Sequence, residues 1–321
     1  MIVDIEHHYR PARDGVASVV ERRWGEDGQF RYSRGNSAAD VDRHLWFMDQ
    51  AGIDVSVLSG QFGNATLDTA KSWNDACARV VGDQPTRFAG FASALPLGGD
   101  AAFDEMDRAV NQLGMKGVHI SARPGGLFLD AKELWPFYEK VSELSVPIDV
   151  HVETNPDGYD GLDAPWALHY VLARELDITG AAFRLCLGGV LEEFPDLKFI
   201  VTHFGGAVSA LKDRMDLYVE LCGDVFYRDE ALTSRPWNEH FDKLYFNMAG
   251  RGRGIATVKC ALTCVSPRKL MFATDWPPNF ENEPQDCKDF IADIRALDLP
   301  GDEIDAMLGG AAVALLGLEP G

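Results

Sequence analysis

The sequence is short of basic residues, of paired cysteines and of long apolar runs, and each shortage closes off a class of function. Thirty Lys and Arg stand against 50 Asp and Glu, a formal net charge of −20. Nucleic-acid binding depends on clustered Lys and Arg that neutralise phosphates, so a polyanion is excluded as the principal partner. Anionic membrane surfaces are disfavoured on the same ground. Six cysteines, Cys77, Cys186, Cys222, Cys260, Cys264 and Cys287, are scattered over 321 residues without a CxxC pair. They read as buried free thiols, with Cys260 and Cys264 packing from one helix. No apolar stretch approaches the roughly 18 residues of a membrane span. The chain starts directly on a strand-like run, with no basic and then apolar leader ahead of it, so a reducing, cytoplasmic setting is expected.

What the sequence does contain is alternation. Short β-branched runs at Ile2–Glu6, Val55–Leu58, Phe88–Ala92, Gly117–Ile120, Ile148–His151, Phe199–Thr202, Leu244–Asn247 and Leu270–Thr274 read as strands. Amphipathic helical patterns lie between them, among them Ala101–Leu113, Ala131–Leu144, Ala167–Leu176, Ala181–Phe194 and Gly206–Leu221. Asp130 reads as an N-cap and Pro195 as a stop. Strand–helix alternation implies a parallel sheet with right-handed crossovers. Eight units in a chain of this length predict an α/β fold, a (β/α)8 TIM barrel, as a single domain over residues 1–321. The competing open, doubly wound sheet expects GxGxxG after the first strand. Glu6, His7 and His8 stand there instead. Two segments, Tyr9 to Asp40 and Glu153 to Trp166, exceed ordinary connections; in a barrel both become long βα loops at the catalytic face.

The chemistry starts at Asp4-Ile5-Glu6-His7-His8. Strand alternation places Asp4, Glu6 and His8 on one face and Val3, Ile5 and His7 on the other. A carboxylate and an imidazole inside a barrel are costly unless a charge compensates them, and a divalent metal would do so. Three more titratable residues close apolar strands: His151 ends VPIDVH, His203 ends KFIVTH and Asp275 ends KLMFATD. These are the positions where barrel active sites are built. A set of two carboxylates and two imidazoles suits Zn2+ and Mn2+ alike. In the glycine-rich stretch Asn247–Gly254, Arg251 and Arg253 are candidates to clamp a substrate carboxylate. Arg10 is a further candidate. Trp276 and Phe280 are placed to wall an aromatic ring. His7 is read as structural, and His44, His169 and His240 receive no role.

The first-strand motif, RFAGFASALPL, GVLEEFPDLKFIVTHFGG and FATDWPP together resemble the metal-dependent amidohydrolase superfamily. The resemblance is to the branch holding aminocarboxymuconate-semialdehyde decarboxylase and γ-resorcylate decarboxylase, and it covers nearly the whole chain. The first strand departs from the superfamily's HxH in reading Glu6-x-His8, as the resorcylate-type enzymes do. The resemblance implies one divalent ion, Zn2+ or Mn2+, held by Glu6, His8, His151 and Asp275, with His203 as acid/base beside it. The superfamily's bridging Lys is missing; His119 is offered there, which argues against a second metal. The implied function is metal-dependent, nonoxidative decarboxylation of a small hydroxybenzoate-like or unsaturated carboxylic acid, with protonated Asp275 as proton donor. A hydrolase such as a lactonase, or a hydratase, would use the same parts. A small-molecule carboxylate is the expected substrate, and a homo-oligomer, dimer or higher, the expected assembly.

Overall fold

A computed structural model of the chain describes residues 1–12, 21–24, 30–33, 37–60, 65–153, 156–162, 168–226, 233–249, 254–280 and 283–319. Eleven strands are present among them: β1 (Val3–His8), β2 (Glu21–Trp24), β3 (Phe30–Ser33), β4 (Val55–Ser59), β5 (Phe88–Gly90), β6 (Ala92–Ser93), β7 (Val118–Ser121), β8 (Ile148–His151), β9 (Phe199–Val201), β10 (Tyr245–Asn247) and β11 (Leu270–Met271). One parallel sheet runs β1-β4-β5 and another β11-β10-β9-β8-β7-β6. Both seams between them are bonded. β5 and β6 are halves of one strand separated only by Phe91, whose N–H donates to Leu58 O at 3.0 Å. At the other seam Ile5 N–H donates to Phe272 O, His8 N–H to Trp276 O and Asp275 N–H to Glu6 O, at 2.8–3.1 Å. Eight parallel positions thus succeed one another in the order of a (β/α)8 barrel, as the alternation predicts.

Two apolar clusters divide the labour. The larger packs the outer faces of the strands (Leu58, Val118, Ile120, Val150, Phe199, Val201, Phe246, Leu270, Phe272) against the helices. The smaller contains Val3, Ile5, Val55, Val57, Ala89, Phe91, Ile200, Met271 and Ala273, the alternate positions of the same strands. By strand parity these point into the barrel, where they fill its lower part.

A bulge in β1 changes one expectation. Val3 and Asp4 pair with Val55 and Ser56, but His7 and His8 pair with Leu58 and Ser59, so β1 carries one extra residue. The extra residue reverses the parity. Glu6 and His8 therefore join Val3 and Ile5 inside, while Asp4 shares the outer face with His7 and bonds to it.

The elements depart from the pattern at three points. The stretches expected at Ala167–Leu176 and Ala181–Phe194 are one run, a π turn at His169–Ala173 continuing as a helix over Arg174–Leu187. The break falls at Gly188–Gly189, where Gly189 has φ 82°, and not at Gly180, which sits in open space within the helix. Asp130 does not cap the Lys132–Leu134 turn; its Oδ1 accepts from Arg184 Nε at 2.7 Å. The aperiodic segment after β1 contains the antiparallel hairpin β2–β3. Two four-residue strands rich in Arg are too short and too polar to register as a period. Among the described residues no helix is long and apolar enough to cross a membrane.

Candidate active site

Glu6 and His8 from β1, His151 from β8 and Asp275 after β11 converge at the C-terminal end of the barrel. One ligand atom from each lies within 4.8 Å of every other, and all four residues are buried. Their lone pairs are aimed by neighbours. His151 Nδ1 is 2.8 Å from Val152 O, so Nδ1 carries the hydrogen and Nε2 presents a lone pair. Ser59 Oγ lies 3.2 Å from His8 Nδ1, and His8 Nε2 lies 2.7 Å from Asp275 Oδ1. Asn279 Nδ2 donates to Asp275 Oδ2 at 3.0 Å. Glu6 Oε2 accepts from Asn247 Nδ2 at 2.7 Å and from the Thr202 hydroxyl.

Glu6 Oε1 tests whether this set fits a cation. It is buried and has no hydrogen-bond partner among the described residues. It lies 3.4 Å from His151 Nε2 and 3.8 Å from His8 Nε2. An orphaned carboxylate oxygen facing two imidazole nitrogens fits a cation between them. The electrostatics agree. Burial pushes the Glu6 carboxyl up to about 8, and Asp149 and Asp275 push the same way against His203 and Thr202. A divalent ion would neutralise the two carboxylates of the set and relieve that cost.

His203 stands beside the cluster, its ring centroid 6.3 Å from that of His151. It occupies a tight turn, His203–Gly205, with φ of 53° at His203 and 57° at Phe204. Left-handed backbone at two non-glycine residues stores strain, and such strain gathers at functional positions. Its Nδ1 is held by Glu175 Oε1 at 2.7 Å, from the helix that follows the π turn. A Cβ at Gly206 would lie 2.1 Å from Glu175 O, so glycine is what lets the helix approach the turn. Thr179 Oγ1 fixes the contact by donating to Glu175 O at 2.5 Å and accepting from Ala207 N–H at 2.7 Å. Burial opposes a charge on His203, but Glu175, Glu6 and Asp275 outweigh it and raise it to about 9.

Behind β1 the outer face holds a buried relay. Thr274 N–H and Oγ1 donate to Asp4, at 2.8 and 2.5 Å. Asp4 Oδ2 is 2.8 Å from His7 Nδ1, His7 Nε2 is 2.9 Å from His44 Nδ1, and His44 Nε2 is 3.1 Å from Ala38 O. A carbonyl only accepts, so His44 carries its hydrogen on Nε2. Burial and His7 hold His44 well below the ordinary histidine range. His44 is therefore neutral and accepts from His7. His7 is structural, as parity suggested, and His44 acquires a role that sequence did not give it. Trp276 belongs to the same layer: it is fully buried and stacks on His7 at 4.9 Å and 11°. That placement gives its indole a packing contact in place of the substrate contact expected of it. Arg251 and Arg253 lie outside the described residues.

Inside the barrel, cross-strand partners His119 and Asp149 form a second buried pair, Nδ1 to Oδ2 at 2.6 Å. The His119 ring lies 5.6 Å from that of His151. His119 also lines a cavity of about 530 Å3 with Leu95, Ser121, Arg123, Glu153 and Asp157. The cavity therefore adjoins the cluster and has room for a small ring.

Comparison with known proteins gives a consistent picture. A family model described as Amidohydrolase matches residues 3–318. A γ-resorcylate decarboxylase of Polaromonas sp. (strain JS666) is 30% identical over 315 residues, covering 87% of this chain and 88% of that one. The crystal structure of 5-carboxyvanillate decarboxylase from Sphingomonas paucimobilis superposes with a TM-score of 0.82 at 20% identity, covering 99% of both chains. A dihydroxybenzoic acid decarboxylase of Polaromonas, solved with manganese and 2-nitroresorcinol, gives 0.72 at 23% identity, covering 99% of this chain and 97% of that one.

Proposed function

The chain belongs to the amidohydrolase family, and from that premise we propose that it is a divalent-metal-dependent, nonoxidative decarboxylase of a small hydroxybenzoate-like acid. The observation that carries the reading is the buried Glu6–His8–His151–Asp275 cluster with its orphaned Glu6 oxygen, set beside His203 and a ring-sized cavity. Glu6, His8, His151 and Asp275 would hold one ion. The donor set suits Zn2+ and Mn2+ equally, and the manganese in a solved relative favours Mn2+. When bound, the ion supplies Lewis acidity and a template for a carboxylate and an adjacent hydroxyl oxygen.

The chain's own groups do the rest. Asp275 in its protonated form delivers a proton to the ring carbon that bears the carboxylate. The C–C bond pair then returns to the ring, CO2 leaves and the new C–H bond remains. Asn279 holds the other carboxyl oxygen, so the acid keeps its orientation as its proton moves. His203, held toward its charged form by Glu175, donates from Nε2 while Glu175 retains Nδ1. The buried surroundings exclude water from the protonated carbon.

The free state of Cys77, Cys186, Cys260, Cys264 and Cys287 supports a reducing compartment such as the cytoplasm. Exposed Val171, Leu172 and Leu176 on one helical segment and Leu217, Tyr218 and Leu221 on another support a homo-oligomer, dimer or higher. The test of function is CO2 release from hydroxybenzoates by protein stripped of metal and reloaded with Mn2+ or Zn2+. The reading predicts release only after reloading. Cleavage of a lactone panel, or hydration of an unsaturated acid, with no CO2 from any hydroxybenzoate would replace it with the hydrolase or hydratase alternative.

A further inference from the structure

The cavity beside the metal cluster has a cation whose charge is already matched. Arg123, two residues after β7, lines it. Its Nε donates to Asp177 Oδ1 at 2.9 Å, and its Nη2 lies 2.8 Å from the same oxygen in an ion pair. Its Cζ lies 3.5 Å from the centroid of the Phe128 ring. The turn after it, Pro124–Gly126, has left-handed φ at both glycines and folds the chain back to bring Phe128 under the guanidinium. The guanidinium is thus fixed in plane and position, and Nη1 has no partner among the described residues. Asp177 is 2% exposed, and its Oδ2 likewise has no hydrogen-bond partner there. Glu153 and Asp157 line the same cavity.

We propose that the Arg123–Asp177 pair makes this part of the cavity a neutral hydrogen-bonding subsite, which selects aromatic acids with one carboxylate and an uncharged oxygen substituent over dicarboxylic acids. The proposal rests on the decarboxylase reading and narrows its substrate class. A substrate whose carboxylate is engaged at the cluster extends its ring into the cavity. A phenolic or methoxy oxygen there accepts from Nη1 at no Coulombic cost, and a phenolic O–H finds carboxylate acceptors nearby. A second carboxylate meets a guanidinium already neutralised by Asp177, and the like charge of Asp157. The Phe128 stack and the Asp177 bond also stop Arg123 from swinging out to meet it.

The experiment compares pairs of salicylates that carry either hydroxyl or carboxylate at ring position 3, 4 or 5. With Mn2+-loaded protein it reads both kcat/KM for CO2 release and the inhibition or dissociation constant. The best hydroxyl compound is expected to exceed its carboxylate partner by about tenfold to a hundredfold, the scale of one unfavourable charge contact. In Asp177→Asn the Arg123 charge is uncompensated, and the ratio falls at least about tenfold, mainly through tighter dicarboxylate binding. Arg123→Gln, a second variant that leaves Asp177 in place, loses the advantage of the hydroxyl compound over the unsubstituted salicylate. Equal or preferred use of the dicarboxylates by the unaltered protein overturns the proposal, as does an unchanged ratio in both variants. If no compound releases CO2 but the hydroxyl forms still bind tighter, the decarboxylase reading fails and the subsite stands.

Discussion

Metal-free protein should lose stability as pH rises, chiefly through Glu6. In the metal-free protein the Glu6 carboxyl is raised to about 8, by burial first and then by Asp149 and Asp275. In the unfolded chain it titrates near its ordinary value of 4.5. Between those values the folded protein keeps a proton that the unfolded chain has lost, so stability falls as pH rises across the window. Above pH 8 the whole difference applies, about 5 kcal/mol. With an unfolding entropy of about 2 cal/mol/K per residue, that is a drop in melting temperature of about 7 °C for a chain this long. His203 adds a loss of the same sign, because a raised imidazole stabilises below its unfolded value and ceases to above about 9. Glu6→Gln separates the two: it keeps the shape and the Asn247 contact region but cannot ionise. The assay is thermal melting of metal-free protein and of metal-free Glu6→Gln between pH 5 and 8.5, with Mn2+-saturated protein as reference. The gap between the two metal-free proteins should open in favour of Glu6→Gln as pH rises, while Mn2+ suppresses the Glu6 dependence. Parallel melting curves across the whole range would refute the claim that Glu6 is a destabilised, cation-requiring carboxyl.

Three further outcomes are expected. His8→Ala and His151→Ala should lose metal and activity together in elemental analysis and CO2 release, whereas His203→Asn should retain metal with kcat down about 10²- to 10⁴-fold; loss of metal in His203→Asn would move that residue into the ligand set. Glu175→Gln removes the main group that keeps His203 protonated, so the alkaline limb of the pH–rate profile should move to lower pH with Mn2+ affinity unchanged; an unmoved limb would contradict the pairing. His44→Ala leaves a buried His7 nitrogen unsatisfied and should cost about 1–3 kcal/mol in denaturant unfolding at unchanged metal content; a neutral result would show that the relay is not structural.

The barrel and its metal-competent residues were legible because both depend on strong local signals. Apolar β-branched runs alternate with helical ones, and His151, His203 and Asp275 each end such a run. What the sequence hid depends on geometry that no period encodes. One extra residue in β1 moved Asp4 from the expected metal face to the outer face, and nothing in DIEHH marks a bulge. Thr202, Asn247, Asn279 and Ser59 hold the Glu6, Asp275 and His8 side chains as neutral polar residues, which resemble any others in a loop or at a strand end. Glu175 lies 28 residues before His203 in a helix and meets it only through the close approach at Gly206. Asp149 and His119 were within reach, since each shares strand parity with an inward residue, His151 and Ser121. Trp276 next to Asp275 suggested a substrate wall, but in a turn after a strand adjacent side chains diverge, and its indole went to the core on His7.

Decarboxylation by protonation at the departing carbon is the central claim, and one experiment reads it directly. Mn2+-loaded protein is incubated with 2,6-dihydroxybenzoate in D2O, and CO2 and product are followed by mass spectrometry and NMR. The account predicts one CO2 per substrate consumed and one deuterium in the product at the carbon that carried the carboxylate, with none of this in metal-free protein and far slower turnover in His203→Asn. Substrate consumption without CO2, or CO2 at the same rate without metal, would contradict it.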